Sequence, residues 1–170
     1  MPRSATQPQA AAGAADSAHD PRAAWLRLDQ QLCFALYAAS LATTKLYKPL
    51  LAPLGLTYPQ YLVMLVLWEQ DGPSVSALGQ RLGLDSGTLT PLLKRLEAQG
   101  LVRRQRSAED ERRVHLALTA AGKRLRARAL DIPGQIACAT GCNLEEVSQL
   151  TARLQVLRSQ LARAADASNS

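Results

Sequence analysis

The stretch "VSALGQRLGLDSGTLTPLLKRLEAQGLV", residues 75–102, decides the fold. Its first part, "VSALGQRLGL", has the composition of a short helix and a turn. In the second part Leu89, Leu92, Leu93 and Leu96 fall at i, i+3, i+4 and i+7, one buried stripe of a helix. Gly100 stands where a C-terminal glycine cap belongs. Pro91 interrupts the second part, but the leucine stripe begins before it, so we expect one helix lacking one backbone hydrogen bond. Two short helices joined by a tight turn, the second with a polar outer face, make a helix-turn-helix.

The neighbouring residues extend the motif. "LVRRQRSAEDERRVHLALT", residues 101–119, reads as two strands around a charged turn, with "RVHLALT" alternating at period two. A β-hairpin directly after a helix-turn-helix is a wing. Five of the twenty Lys and Arg residues, Arg103, Arg104, Arg106, Arg112 and Arg113, lie within these nineteen positions. Asp110 and Arg112, two apart at the tip, suit a carboxylate that holds a guanidinium extended for a narrow minor groove. The helix face opposite the leucines carries Thr90, Lys94 and Arg95, with Ser86 and Thr88 on the first turn. Short hydroxyls and basic side chains reach base edges and phosphates from a major groove. For the helix alone an ordinary polar face is a fair reading. Helix and basic wing together point to double-stranded DNA, bound by a two-fold dimer on a near-palindromic site.

Helix signals flank this core. Asp20-Pro21 and Asp29 are expected helix starts, and "QQLCFALYAASLATTKLY" is helix-compatible until Pro49 and Pro53 break it. Thr57 and Gln60 form a capping box for the apolar "YPQYLVMLVLWEQ". Thr119 is expected to cap a long helix interrupted by Ile132-Pro133-Gly134. Asn143 and Glu146 box the start of a last helix, whose leucines at 144, 150, 154, 157 and 161, with Val147, form a stripe suited to a partner helix. The expected fold is mainly α with a small β-wing. Residues 57–119 form the winged helix-turn-helix, 21–56 and 120–165 a helical dimerisation region, and 1–20 and 166–170 disordered tails.

With 170 residues, 47% of them hydrophobic and 20% charged, the composition is that of one ordinary globular domain. The net charge of +6 favours an anionic partner. No apolar run reaches membrane-spanning length, and the N-terminal stretch lacks a secretory core, so we expect a cytoplasmic protein without a membrane partner. Three cysteines cannot all pair within one chain. Cys33 lies in an apolar helical run and is, on these grounds alone, as compatible with core packing as with reactivity. All four tyrosines, Tyr37, Tyr47, Tyr58 and Tyr61, fall within 25 residues, although the chain has only seven aromatics.

The run from "LCFALYAAS" through "YKPLLAPLGLTYPQYLVMLVLWE" and "LGLDSGTLTPLLKRLEAQGLV" to "DERRVHLALT" resembles the MarR family of winged-helix repressors. Within it, the similarity is to the organic-hydroperoxide-sensing OhrR branch, over residues 25 to about 163. The resemblance implies that Cys33 is the peroxidatic cysteine, and that Tyr47 and Tyr58 hydrogen-bond its sulfur across the dimer. It implies that Arg112, partnered by Asp110, enters the minor groove. It further implies the two-cysteine type, in which Cys138 of the other subunit forms the disulfide; Cys142 is a bystander or a competing resolving thiol. The implied protein is a repressor, not an enzyme. Reduced, it binds its operator as a homodimer; organic hydroperoxide releases it; it needs no cofactor or metal.

The chemistry of the residues agrees with those roles. A thiolate attacks a peroxide, and phenol hydroxyls stabilise one without carrying charge near pH 7. Tyr37, one turn from Cys33, is placed to touch it within the same helix. Tyr47 lies fourteen residues on, about 21 Å along a straight helix, so its reach to Cys33 requires a second subunit. With Asp29 as cap, the helix dipole favours the thiolate. The same residues admit three rivals. A thiol peroxidase would have no use for the wing. A repressor released by a small aromatic ligand would leave the cysteines incidental. A zinc-regulated repressor would use Cys138 and Cys142 at i, i+4 with His115 or His19, neither of which is near them in sequence.

Overall fold

A computed structural model describes residues 25–106 and 114–168. A short 3-10 turn, Leu28–Gln30, precedes α1 (Leu32–Leu51), and another, Ala52–Leu54, leads to α2 (Tyr58–Glu69). Then come α3 (Val75–Leu82), α4 (Ser86–Ala98), β1 (Val102–Arg106), β2 (Val114–Leu118), α5 (Ala120–Ala129), α6 (Ile132–Thr140) and α7 (Leu144–Ser168). The chain divides into two compact units, one ending at Thr44 and one running from Lys45.

The second unit holds the core. The apolar α2 buries Tyr61, Val63, Met64, Val66 and Leu67, and Leu78 of α3 is shut off completely. On α4, Leu89, Leu93 and Leu96 are buried as the stripe requires, with Leu92 at its margin. The antiparallel hairpin pairs Val102 with Leu118 and Arg104 with Leu116, and buries Val102, Leu116 and Leu118 against the helices. Its outer edge on β2 is tied by a bridge from Ser74 to His115 and by the Leu116 N–H donating to the Pro73 carbonyl at 3.0 Å. Beyond β2, a Cβ on Gly122 would stand 2.1 Å from the Leu101 carbonyl oxygen, so only glycine lets α5 pass the hairpin so closely. The Gly122 carbonyl accepts the Trp68 indole N–H at 2.9 Å, and Trp68 packs edge-on to Tyr61.

Most expected signals operate. Gln60 Oε1 accepts from the Thr57 N–H and hydroxyl. Thr119 accepts from Gly122 N–H. Asn143 and Glu146 exchange side-chain-to-backbone bonds. Gly100 adopts φ +68°, and Leu101 N–H closes α4 on the Leu96 carbonyl. Pro91 lies within a continuous α4.

Four expectations are corrected. Asp29 sits in the 3-10 turn rather than capping α1; Gln31, with ψ 114°, breaks the path, and α1 starts at Leu32. Pro49 does not end α1, which runs to Leu51, because a proline in the last turn removes only one hydrogen bond and the next two residues are drawn into the core. The break after α5 falls at Leu130 and Asp131, and Ile132-Pro133-Gly134 opens α6, with Pro133 in the first turn, where its missing N–H costs nothing. Finally, α7 extends to Ser168, into the stretch assigned to a tail. The expected start at Asp20-Pro21 lies outside the described residues.

Two segments bury nothing of their own. In the first unit Leu32, Phe34, Tyr37 and Leu41 are exposed. Along α7, all 25 residues lack full burial, and Leu144, Leu150, Leu154, Val156 and Leu161 stand open to solvent.

Candidate nucleic-acid interface and thiol site

The N-terminus of α4 is built by Asp85. Its Oδ1 accepts the Thr88 N–H at 2.8 Å and its Oδ2 the Thr88 hydroxyl at 3.0 Å. These bonds, the backbone one first, hold the Asp85 carboxyl below the usual carboxylate range. Ser86, Thr88, Lys94 and Arg95 are exposed and Thr90 is half-buried, so α4 presents the polar face that its leucine stripe implies. Thr88 differs from its neighbours, because its hydroxyl proton is spent on Asp85 and only its lone pairs remain to offer.

Arg104 does not stand with the exposed basic residues. It shares the inward face of β1 with Val102, and its Nε lies 3.5 Å from Glu97 Oε2 on α4. Its Nη2 reaches the Thr90 carbonyl at 3.5 Å, and its backbone N–H donates to Glu97 Oε1 at 3.2 Å. A groove of about 770 Å³ opens between α3, the start of α4 and the hairpin, lined by Ser74, Gln80, Asp85, Ser86, Arg104 and Val114. Asp110, Arg112 and Arg113 lie outside the described residues.

At the cysteines the geometry is plain. Cys33 is the second residue of α1, closer to the helix start than a cap at Asp29 implied, and its side chain is exposed. Cys33 therefore lies in the first turn of α1, at the positive end of the helix dipole. Tyr37, on the same stretch of helix, is exposed, and no hydrogen bond among the described residues joins it to Cys33. Tyr47 and Tyr58 belong to the other unit and pack against each other with ring centroids 4.6 Å apart. Tyr61, which sequence reasoning left out of the site, lies 5.7 Å from Tyr47 and is the buried centre of the cluster. The sequence marked it as one of four tyrosines within 25 residues, without giving it a role of its own. Burial, and then the neighbouring Tyr58 and Tyr61, push the Tyr47 phenol up to about 12; burial raises Tyr58 and Tyr61 as well. All three phenols are thus protonated donors at neutral pH.

Cys138 is exposed and Cys142 half-buried. They do not share a helix: α6 ends at Thr140, Gly141 turns left-handed, and the Cys142 thiol faces the Thr140 carbonyl at 3.8 Å. His115 is engaged elsewhere, its Nδ1 2.9 Å from the Gly72 carbonyl.

An organic hydroperoxide resistance transcriptional regulator of Bacillus subtilis is 52% identical to this chain over 132 residues, covering 78% of this chain and 90% of that protein. The chain belongs to the MarR family of winged-helix regulators, on the OhrR branch. The HTH-type transcriptional regulator TtmR of Methylorubrum extorquens is 53% identical, over 79% of this chain and 69% of its own length. The family model for the transcriptional regulator SarA/Rot matches residues 45–128, which span the winged helix. Among solved structures, reduced AbfR bound to DNA superposes with a TM-score of 0.68 at 34% identity, over 82% of this chain and 97% of that one. AbfR, from Staphylococcus epidermidis, is also solved in a disulfide form, with a TM-score of 0.56 and 36% identity over 80% and 96% of the two chains. These MarR relatives are transcriptional regulators.

Proposed function

We propose that this protein is a peroxide-sensing, dimeric, DNA-binding repressor of the cytoplasm. Reduced, the dimer holds operator DNA with Ser86, Thr88, Thr90, Lys94 and Arg95 on α4 and with the basic wing that includes Arg112, Asp110 and Arg113. An organic hydroperoxide meets the Cys33 thiolate; sulfur takes the terminal oxygen, giving sulfenic acid and the alcohol. Cys138 of the partner subunit then attacks that sulfur, a disulfide forms, and water leaves. The new bond rearranges the dimer and moves the recognition helices off their half-site spacing, and thiol reduction resets the switch.

The observation that carries this reading is Cys33 itself: an exposed thiol at the start of a helix whose apolar residues Leu32, Phe34 and Leu41 are also exposed, in a chain 52% identical over 132 residues to an organic hydroperoxide resistance regulator. Leu32 and Phe34 beside it favour an alkyl peroxide over hydrogen peroxide. Protonated Tyr47 and Tyr58 are suited to donate to a thiolate, and the fourteen residues that separate Cys33 from Tyr47 along α1 make Tyr47 a partner-subunit donor. That AbfR is solved both reduced on DNA and in a disulfide form supports a switch of this kind.

A gel shift with wild type, Cys33→Ser and Cys138→Ser, with and without an organic hydroperoxide, tests it. Wild type should leave DNA on oxidation while Cys33→Ser stays bound. Cys138→Ser should oxidise without a crosslinked dimer on a non-reducing gel. Release of Cys33→Ser by the peroxide would end the reading, and loss of the crosslink in Cys142→Ser alone would move the resolving role to Cys142.

A further inference from the structure

A two-stranded hairpin is too small to hold its own orientation. Its base is fixed here by burial of Val102 and Leu118 in the core, and its β2 edge by Pro73 and Ser74. The remaining edge, on β1, faces α4, and Arg104 is the residue that meets it. One carboxylate, Glu97, holds this residue at two points, through the backbone N–H and beside Nε, while the Thr90 carbonyl takes the far end of the guanidinium. The Nε is sealed from solvent without a hydrogen bond of its own. A guanidinium serving as a free phosphate ligand would keep all its donors in water; here Nε is closed off and Nη2 reaches the recognition helix, with 31% of the side chain left exposed.

We propose that Glu97 and Arg104 strap the hairpin to α4 at a fixed angle, so that Arg104 is a positioning residue for DNA binding and not a phosphate contact. The proposal rests on the DNA-binding reading above and revises one part of the sequence-based expectation, which put Arg104 among the DNA contacts. Its consequence is geometric. Wing and recognition helix engage one duplex together only if their angle is set in advance, and a misaimed wing forfeits contacts that Arg104 never makes.

The sign of the Glu97 substitution separates the two roles. Glu97→Gln keeps an oxygen for the Arg104 N–H and removes the negative charge. If Arg104 touched phosphate, losing a nearby carboxylate would strengthen binding; if the pair is a strap, binding weakens. The probe is a duplex selected by the full-length reduced wild type from a random pool, and affinity is measured by fluorescence anisotropy from low to high salt. We expect Glu97→Gln and Arg104→Met each to weaken binding about three- to tenfold. The double variant should be no weaker than the worse single one. The slope of log affinity against log salt should stay at the wild-type value, because no phosphate contact has been removed. Tighter binding by Glu97→Gln, or a slope reduced by about one in Arg104→Met, overturns the strap while leaving DNA binding intact. A wild type that selects no duplex overturns the DNA-binding reading and the strap with it. Equal thermal unfolding midpoints and equal dimer mass in all variants assign any loss of affinity to aim, and a drop in either that accounts for the loss counts against the proposal.

Discussion

At the scale of single residues, the three clustered phenols show how burial sets chemistry. A phenol buried among other phenols is hard to ionise, and Tyr47, pushed to about 12 from an ordinary value of 10.0, is the extreme case. Its folded value is raised, so its contribution to stability is complete below pH 10.0 and is lost as pH climbs towards 12, where the unfolded chain has released a proton that the folded chain still holds. The urea midpoint of the wild type should therefore fall between about pH 9 and about pH 11.5, and Tyr47→Phe should flatten that fall. Parallel curves for the two proteins would show that Tyr47 is not the group responsible. Across the range where a cysteine sensor works, the same burial keeps the phenols neutral, so they can donate to a thiolate without repelling it. Thr88 shows a finer control, since its hydroxyl faces outward but its proton is committed to Asp85. Replacing such a residue disturbs a helix start as well as a surface.

At the scale of elements, close approach matters as much as pattern. The start of α5 passes the Leu101 carbonyl so tightly that a methyl group has no room. Gly122→Ala should destabilise the fold by about 1–3 kcal/mol, read as a lower thermal midpoint, and a midpoint unchanged from wild type would contradict the packing described. Nothing in the sequence announced this glycine, because a steric collision between segments distant along the chain leaves no local signature. Capping pairs were legible for the opposite reason: Thr57 with Gln60, Asn143 with Glu146 and Thr119 act over one turn and are written in adjacent letters. The leucine stripe of α4 was legible as well, since its period alone selects a buried face. Breaks were read less well. Pro49 looked terminal, yet Leu51 is fully buried and its burial outweighs one lost bond. Arg104 was read by charge alone, and the sequence does not tell which face of a strand turns towards Glu97.

At the scale of the whole molecule, one subunit is incomplete as a hydrophobic object. A 25-residue helix with no buried residue is not stable in isolation without exceptional propensity. A second copy is the partner that the two-fold reading supplies. Light scattering on a sizing column should give the mass of two chains for wild type, and Leu154→Glu combined with Leu161→Glu should shift it towards one and abolish DNA binding together. A monomeric wild type that still binds DNA would refute the arrangement. The ring cluster has a further consequence, an optical one. The chain carries two indoles: Trp25 is 73% exposed, while Trp68 sits edge-on to Tyr61 at 6.2 Å with its N–H bonded to Gly122. Light absorbed by the phenols passes to an indole so near, and Trp68 emits from a half-buried setting while Trp25 emits from water. In a Trp25→Phe background, the colour of the remaining emission becomes a label-free gauge of the seam between α2 and α5, readable while peroxide is added.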